Sequence, residues 1–492
     1  MRKLLLASAA LLGAAGVAQA QVTMNPQPNT AMAAFANLAA APAPGQIVVR
    51  LNGAFLWYGA FNADGDANAL YFVDNRTNPT GARWFPTGSF TLPVAAKLNQ
   101  GFSMGSYIRL YPGFDGVAAN GLRYGAAGEI RQESGGRAAG GAFSPGGAGG
   151  QNTARATLYW RRAYGYFGMP ELGTIRVGSI DGPSNLLSTG KNYFNDAGWN
   201  GDLPAFKAGN VGPAWPFMDV GNLYIINKLI YLSPAWNIGV GQFDFGLSYA
   251  PNNNTLSVQN GCALGLASVG CDRLASITSN GNTNEQRRHR NWVEAFARLR
   301  GSSGGFGYSM FGGYIGSGKI HSNFVNPVTG AASPQTLYDG ISIGLGGVQV
   351  SYAGFALGGM IQGGNMNLGY ALKPTGAPDS LAWYVSGTYT NGPMVVGLSY
   401  FEHTYAGAFV PAWQVGGTPG VGRERKDRGF AAGGTYAVAP GFAVYLSYLW
   451  GDRFQYGVNQ LTGETVTTGG AAGLFKNRTT VQAVSIGTAF RW

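Results

Sequence analysis

Several charged residues stand between apolar neighbours: Arg50 between Val49 and Leu51, Arg109 between Ile108 and Leu110, and Arg176 between Ile175 and Val177. In an extended chain each of these arginines faces the side opposite its neighbours. Arg123, Glu129 and Arg131 likewise share the parity opposite Leu122, Tyr124 and Ile130. Guanidinium groups gathered on one face of a sheet do electrostatic rather than covalent chemistry: they attract and orient passing anions. One arginine about 5 Å from an anion in water-like surroundings contributes roughly 1 kcal/mol, less in salt. A few such groups bias passage severalfold and do not exclude cations.

Other chemistry finds little support. The stretch GYIGSGKI matches the spacing of a phosphate-binding loop from Gly313 to Lys319, but Ile320 stands where Ser or Thr is required and no helix pattern follows. It reads as a strand end entering a loop. His289, His321 and His403 lie on separate segments, without ligand spacing and without an evident serine nucleophile beside them. No metal, no cofactor and no enzyme activity are therefore expected, a barrel-embedded lipase or protease being the rival class. The only cysteines, Cys262 and Cys271, are close together, and in an exported chain this favours a disulfide worth roughly 3 kcal/mol on the chain-entropy model.

The elements that must hold the arginines repeat one device. From Gln46 onward, runs of about ten residues alternate apolar with small or polar residues, separated by punctuating segments. In GFAVYLSYLWGDR one parity holds Phe442, Val444, Leu446, Tyr448 and Trp450; in GQFDFGLSYAP it holds Phe243, Phe245, Leu247 and Tyr249. The chain ends on TTVQAVSIGTAFRW, where Val484, Ile486, Phe490 and Trp492 share a face. Sixteen such runs occur, with short connections such as TNGP and VAPG alternating with long ones.

Charged residues make up 11% of the chain, about half the share of a soluble domain, beside 80 Gly and 13% aromatics. The fold class that follows is all-β: a transmembrane antiparallel barrel of about sixteen strands, with periplasmic turns and long extracellular loops. A lipid-facing Arg at mid-membrane costs roughly 2–4 kcal/mol, so charges within strands point inward. Two places break the pattern. In ISIGLGGVQVSY the apolar parity switches across Gly346-Gly347, which predicts a glycine bulge. At Arg161-Arg162 either one arginine points outward or the strand bulges.

Arg2 and Lys3 precede an apolar run from Leu4 to Val17 that ends in Ala18-Gln19-Ala20. Residues 1–20 read as a signal peptide cleaved after Ala20, which lowers the formal charge from +11 to +9. Residues 21–45 form an Ala/Pro-rich periplasmic leader, and 46–492 the barrel.

The stretches GSYIRLYPGFDGVAANGLRYGAAGEIRQE, LYWRRAYGYFGMPELGTIRVGSIDGP and NKLIYLSPAW…FDFGLSYAPN, with the aromatic C-terminus, resemble the general Gram-negative porins, especially those of alphaproteobacterial type, from about residue 46 to 492. The resemblance implies an outer-membrane homotrimer, each subunit a passive channel for small hydrophilic solutes and ions. It folds the third long loop, 181–220, into the lumen. Asp181, Asp196, Asp202 and Asp219 of that loop would then face a basic wall of Arg50, Arg109, Arg123, Arg131 and Arg176, with Glu129 among them. Phe490 and Trp492 would form the C-terminal assembly signal, with Trp where the family usually has Phe. This last strand should pair with the one starting near Gln46.

Mild anion preference is the expected selectivity. A substrate-specific channel for phosphate, sugars or other anions is the alternative, and a structural or adhesive barrel the remote one. The clusters RRHR (287–290) and RERKDR (423–428) either bind phosphates of outer-membrane lipid or are solvated loop charge; no nucleic-acid partner is expected.

Overall fold

The computed structural model describes residues 42–65, 102–133, 158–195, 198, 199, 201, 217, 227–252, 289–322, 336–367, 370–407, 409, 410, 420, 421, 424–456 and 476–492. Sixteen long strands form one sheet. In chain order they are β1 (Ile47–Gly65), β2 (Phe102–Val117), β3 (Arg123–Glu133), β4 (Tyr159–Met169), β5 (Gly173–Ser179), β6 (Asn227–Leu232), β7 (Gln242–Asn252) and β8 (Arg290–Ser303). The second half comprises β9 (Phe306–Gly316), β10 (Ser342–Tyr352), β11 (Phe355–Asn365), β12 (Ser380–Asn391), β13 (Met394–Tyr405), β14 (Arg425–Ala439), β15 (Phe442–Tyr456) and β16 (Lys476–Arg491). Each pairs antiparallel with the next, and β16 pairs with β1 from Ala54↔Arg491 to Gly65↔Thr480. The sheet is thereby a closed barrel without a free edge. All sixteen runs read from the sequence are strands, because a period-two pattern with one apolar face is stable only when each strand has a neighbour on both sides.

Burial follows the alternation. On β15, Leu446 and Tyr448 are exposed on the outer face, while Tyr445, Ser447 and Leu449 are buried. On β16, Val484, Ile486 and Phe490 face out and Val481, Ala483, Ser485 and Ala489 face in. Aromatic rings pair on the outer face towards strand ends: Phe61 with Phe102 at 4.6 Å, Phe355 with Tyr389 at 4.4 Å and Phe442 with Phe490 at 4.8 Å. This is the belt expected where a barrel meets the two membrane–water interfaces. The closing strand is clamped at its last residue, since Gly53 and Trp492 exchange backbone hydrogen bonds of 3.1 and 3.2 Å. A Cβ on Gly53 would lie 2.2 Å from the Trp492 ring, so only glycine leaves that ring its place.

Two local devices keep the ladder intact. Pro234 falls within the run that starts as β6, and the Ser233 hydroxyl accepts the Phe245 N–H at 2.8 Å in place of a backbone carbonyl. The run resumes at Trp236–Asn237, again paired with β7. At the β10–β11 turn, Ala353 and Gly354 have φ of 48° and 84°, the double positive φ of a type I′ hairpin.

The switch of parity at Gly346-Gly347 is not a bulge. Strand β10 pairs without interruption with β9 and β11 through both glycines. Ile343 and Leu345 point inward, Val348, Val350 and Tyr352 outward, and the strand is regular. Its inner face is apolar because half of the lumen wall carries an apolar core, in which Phe296, Phe311, Met360, Tyr384 and Phe401 pack with Leu187, Phe194, Trp199 and Phe217 of the segment after β5. Above this core a small sheet of Ile320–Ser322, Thr336–Asp339 and Lys373–Pro374 caps the extracellular end, with Lys373 Nζ 3.0 Å from Asp379 and 3.5 Å from Asp339. No helix among the described residues is long and apolar enough to cross a membrane.

Candidate functional site

The inner faces of β2 to β5 carry the arginines. Arg109 and Arg131 are direct cross-strand partners, a like-charge pairing that is unfavourable by itself. Glu129 compensates it: the carboxylate accepts from Arg131 Nε, from Arg162 Nη1 at 2.6 Å and from Arg161 Nη1 at 3.2 Å. Arg109 Cζ lies 4.3 Å from the centre of the Tyr107 ring. This wall is packed rather than water-lined, with Arg109 1%, Arg131 5% and Arg176 1% exposed, so its charges act through a lower dielectric than the sequence suggested. Nearer the periplasmic end Arg50 binds Asp115 through Nε and through Nη2 at 3.1 Å, and the Tyr166 hydroxyl donates to the same carboxylate. Arg123, at the start of β3, is half-buried on the same inward parity.

The Arg161-Arg162 pair resolves to a bulge. Glu129 pairs with Arg162 and Ile130 with Trp160, which leaves Arg161 as the extra residue. Both side chains are buried and both reach Glu129, so neither arginine faces outward. The bulge lets two consecutive guanidinium groups converge on one carboxylate, which a regular strand forbids.

Arg162 also reaches Asp181 Oδ2 at 2.6 Å through Nη2. Asp181 therefore does not face the wall from across the lumen but neutralises part of it at its own side. From there the chain forms α1 (Pro183–Leu186) and continues as a strap across the inner face of the barrel. The Ser184 N–H donates to Glu294 Oε2 at 3.0 Å, and Glu294 also accepts from Trp292 Nε1 at 2.9 Å and lies 3.8 Å from Lys228 Nζ. Farther on, Asn192 Nδ2 donates to the Ala356 and Ser386 carbonyls at 3.2 and 3.1 Å. Asn195 Nδ2 donates to Gly434 and Leu446 at 3.1 and 3.4 Å, and Trp199 Nε1 to Phe430 and Trp450 at 3.0 Å each. The strap thus grips main-chain carbonyls of β11, β12, β14 and β15. Glycines make room for it: a Cβ at Gly358 would lie 2.5 Å from the Gly190 carbonyl, and one at Gly429 2.4 Å from the Trp199 ring.

Charges that the sequence reading passed over complete the interior. Glu294, Arg298 and Arg300 share the parity of Trp292 in NWVEAFARLRG, which was the available signal. Arg298 binds Asp244 at 3.0 and 2.6 Å, and Arg300 approaches it at 3.7 Å. Next to Lys228 and Glu294, buried His289 lies against Trp292, ring centres 4.9 Å apart and tilted by 55°; burial, and then the Lys228 charge, push its pKa down to about 3, so it is neutral at pH 7. Contrary to expectation, one histidine does stand beside a serine: Ser380 Oγ lies 2.8 Å from His403 Nε2. Both are closed off from solvent, and Asp427, the nearby carboxylate, is held by Tyr405 at 2.6 Å and Arg453 at 2.8 Å rather than orienting the imidazole. No group of ligands that would hold a metal ion occurs among the described residues. Ala20, Asp196, Asp202, Asp219, Cys262 and Cys271 lie outside the described residues. Phe490 and Trp492 lie on the outer face at the closing seam.

No curated protein sequence matches the chain. Among solved structures, OmpT, an outer membrane protein of Vibrio cholerae in its trimer form, is 12% identical, the alignment covering 91% of this chain and 99% of that one at a TM-score of 0.46. An anion-selective porin from Comamonas acidovorans is 12% identical over 91% of this chain and 100% of that one, TM-score 0.46. The outer membrane channel DcaP of Acinetobacter baumannii is 12% identical over 92% and 100%, TM-score 0.46. A family model described as Gram-negative porin matches residues 7–453. That match runs into the fifteenth strand and leaves out only the closing one, and the chain belongs to the Gram-negative porins, channels of the bacterial outer membrane.

Proposed function

We propose that this porin is a passive diffusion channel for small hydrophilic solutes with a mild preference for anions, working as a homotrimer. The observation that carries the preference is the imbalance of the inner wall: Arg109, Arg131, Arg161, Arg162 and Arg176 stand against Glu129 and Asp181. A fixed excess of positive charge beside the narrowed lumen raises the local concentration of anions and orients polar solutes. The apolar core and the strap occupy the opposite side, so solutes pass on the arginine side and feel charges packed beneath the lumen surface rather than touching them. Arg123 extends the basic path towards the periplasm, where Arg50 joins it with its charge balanced by Asp115, and Asp196, Asp202 and Asp219 are its acidic counterpart on the third loop. Export rests on residues 1–20, cleaved after Ala20, ahead of a periplasmic leader to residue 45; Cys262 and Cys271 restrain the fourth loop as a disulfide; and Phe490 and Trp492 are the assembly signal.

A planar-bilayer recording across a salt gradient tests the reading. A large ohmic conductance with a reversal potential on the anion side is expected. A cation-side reversal potential refutes the preference, block by low concentrations of phosphate or a sugar assigns a specific channel instead, and absence of conductance assigns a structural barrel.

A further inference from the structure

We infer that Arg176 is the seat of a resident monovalent anion, enclosed in the wall behind the root of the strap. Among the described residues, Arg176 is the one buried arginine whose Nε, Nη1 and Nη2 all lack a hydrogen-bond acceptor. Its cross-strand partners are Tyr166 and Ile230, and these belong to a cluster of Tyr164, Tyr166, Ile180, Leu186, Ile230 and Leu232. The guanidinium lies 5.7 Å from the Tyr164 ring centre, a contact that offers no acceptor oxygen. Asp181 is within electrostatic reach of Arg176 but makes its ion pair with Arg162 at 2.6 Å, and Glu129 is shared among Arg131, Arg161 and Arg162. An enclosed guanidinium with five donors and no hydrogen-bonded acceptor is strongly unfavourable, whereas Arg131, Arg161 and Arg162 each meet a carboxylate.

A second orphan lies on the same inner face. Ser248, on the far side of Ile230 in the register, is 7% exposed and its hydroxyl lacks a partner. The guanidinium, flanked by tyrosine rings and aliphatic side chains, suits a weakly hydrated halide such as chloride or bromide, with Ser248 two strands away as a further donor on the same face. Phosphate or sulfate needs more donors than this surrounding holds, and a carboxylate carries a carbon body into an enclosed seat. The occupied seat would cancel the Arg176 share of the wall's charge and still leave Arg109, Arg131, Arg161 and Arg162 against Glu129 and Asp181 to bias permeation. The inference therefore stands or falls apart from the channel's selectivity.

The test is the unfolding temperature of the assembled, detergent-solubilised barrel at constant ionic strength, with a bulky organic sulfonate as the baseline anion. Replacing the sulfonate by chloride or bromide should raise it by about 3 °C, as expected for a site filled about a hundredfold above its dissociation constant in a barrel of this length. Phosphate should do no better than sulfonate. Arg176→Met should abolish the halide response and Arg176→Lys should keep part of it. Crystals grown in bromide should show an anomalous peak beside the Arg176 guanidinium, a readout that holds even if Arg176→Met fails to assemble. A wild-type barrel indifferent to halide, an equal response in Arg176→Met, a response to phosphate alone, or a bromide map blank at Arg176 each overturns the assignment.

Discussion

The joint between wall and strap rests on Arg162, and replacing it tests whether the strap is tied to the barrel at its root. Arg162→Met keeps length and apolar bulk but removes the group that binds Glu129 and Asp181 at 2.6 Å each. Glu129 keeps Arg131 and Arg161, whereas Asp181, whose side chain is 8% exposed, loses a partner that is 2% exposed. At an effective dielectric near 20, two unit charges about 4 Å apart interact by about 4 kcal/mol. Breaking a buried pair from one side costs about 3–5 kcal/mol. Arg162→Met should therefore destabilise the barrel by about that much. Asp181→Asn should cost less, about 1–2 kcal/mol, because Arg162 keeps Glu129. In the double variant the orphaned carboxylate is gone, and the two losses should fall short of additivity by at least about 1 kcal/mol. The assay is guanidinium-induced unfolding in detergent, read by the band shift between folded and unfolded barrel, with single-channel noise recorded in parallel. Additivity within about 0.5 kcal/mol, together with unchanged noise in Arg162→Met, would refute the tether.

Gly53→Leu should lower the yield of assembled barrel, since the added side chain takes the place of the Trp492 ring, and Trp492→Lys should do the same; a gel assay of heat-modifiable barrel scores both. Ala353→Gly should stabilise the β10–β11 hairpin by about 1 kcal/mol by relieving a positive φ, seen as a higher unfolding midpoint. The His289 pKa is depressed, so the unfolded chain binds its proton first and the native barrel gains stability as pH rises from about 3 to about 6.5. Acidification through that window should loosen the corner where His289 meets Lys228 and Glu294, by up to about 4 kcal/mol at its lower end, and His289→Phe should flatten this slope in melts taken at several pH values.

The strand framework was legible because a barrel repeats a single rule sixteen times, and a run such as FAVYLSYLW has only one way to satisfy it. The rule fails where the interior is not water. Ile343 and Leu345 face inward onto an apolar core, and on alternation alone that looks like a slip of register at two glycines. The wall arginines were visible by parity, but their partners were not. Whether Asp181 opposes Arg162 or pairs with it depends on the path of the loop, and the convergence of Arg161 and Arg162 on Glu129 depends on a bulge that sequence left as one option of two. Glu294 and Arg298 carried the right parity beside Trp292 and were overlooked among the aromatics.

The strap's choice of main-chain carbonyls as its holds has a mechanical consequence. A closed sheet is stiff along its strands and soft to being squeezed from a circle into an ellipse. Asn192, Asn195 and Trp199 pin the strap to β11, β12, β14 and β15, while Asp181 and Ser184 anchor its other end to β4 and β8. It is a chord drawn across the ring, fixing a diameter. The carbonyl holds survive any change of wall side chain so long as the positions beneath the chord stay small, whereas its root depends on Arg162 and Glu294 and its far end also on the hydroxyls of Ser386, Thr435 and Ser447. Shortening the strap would do more than widen an opening: it would release the barrel's cross-section.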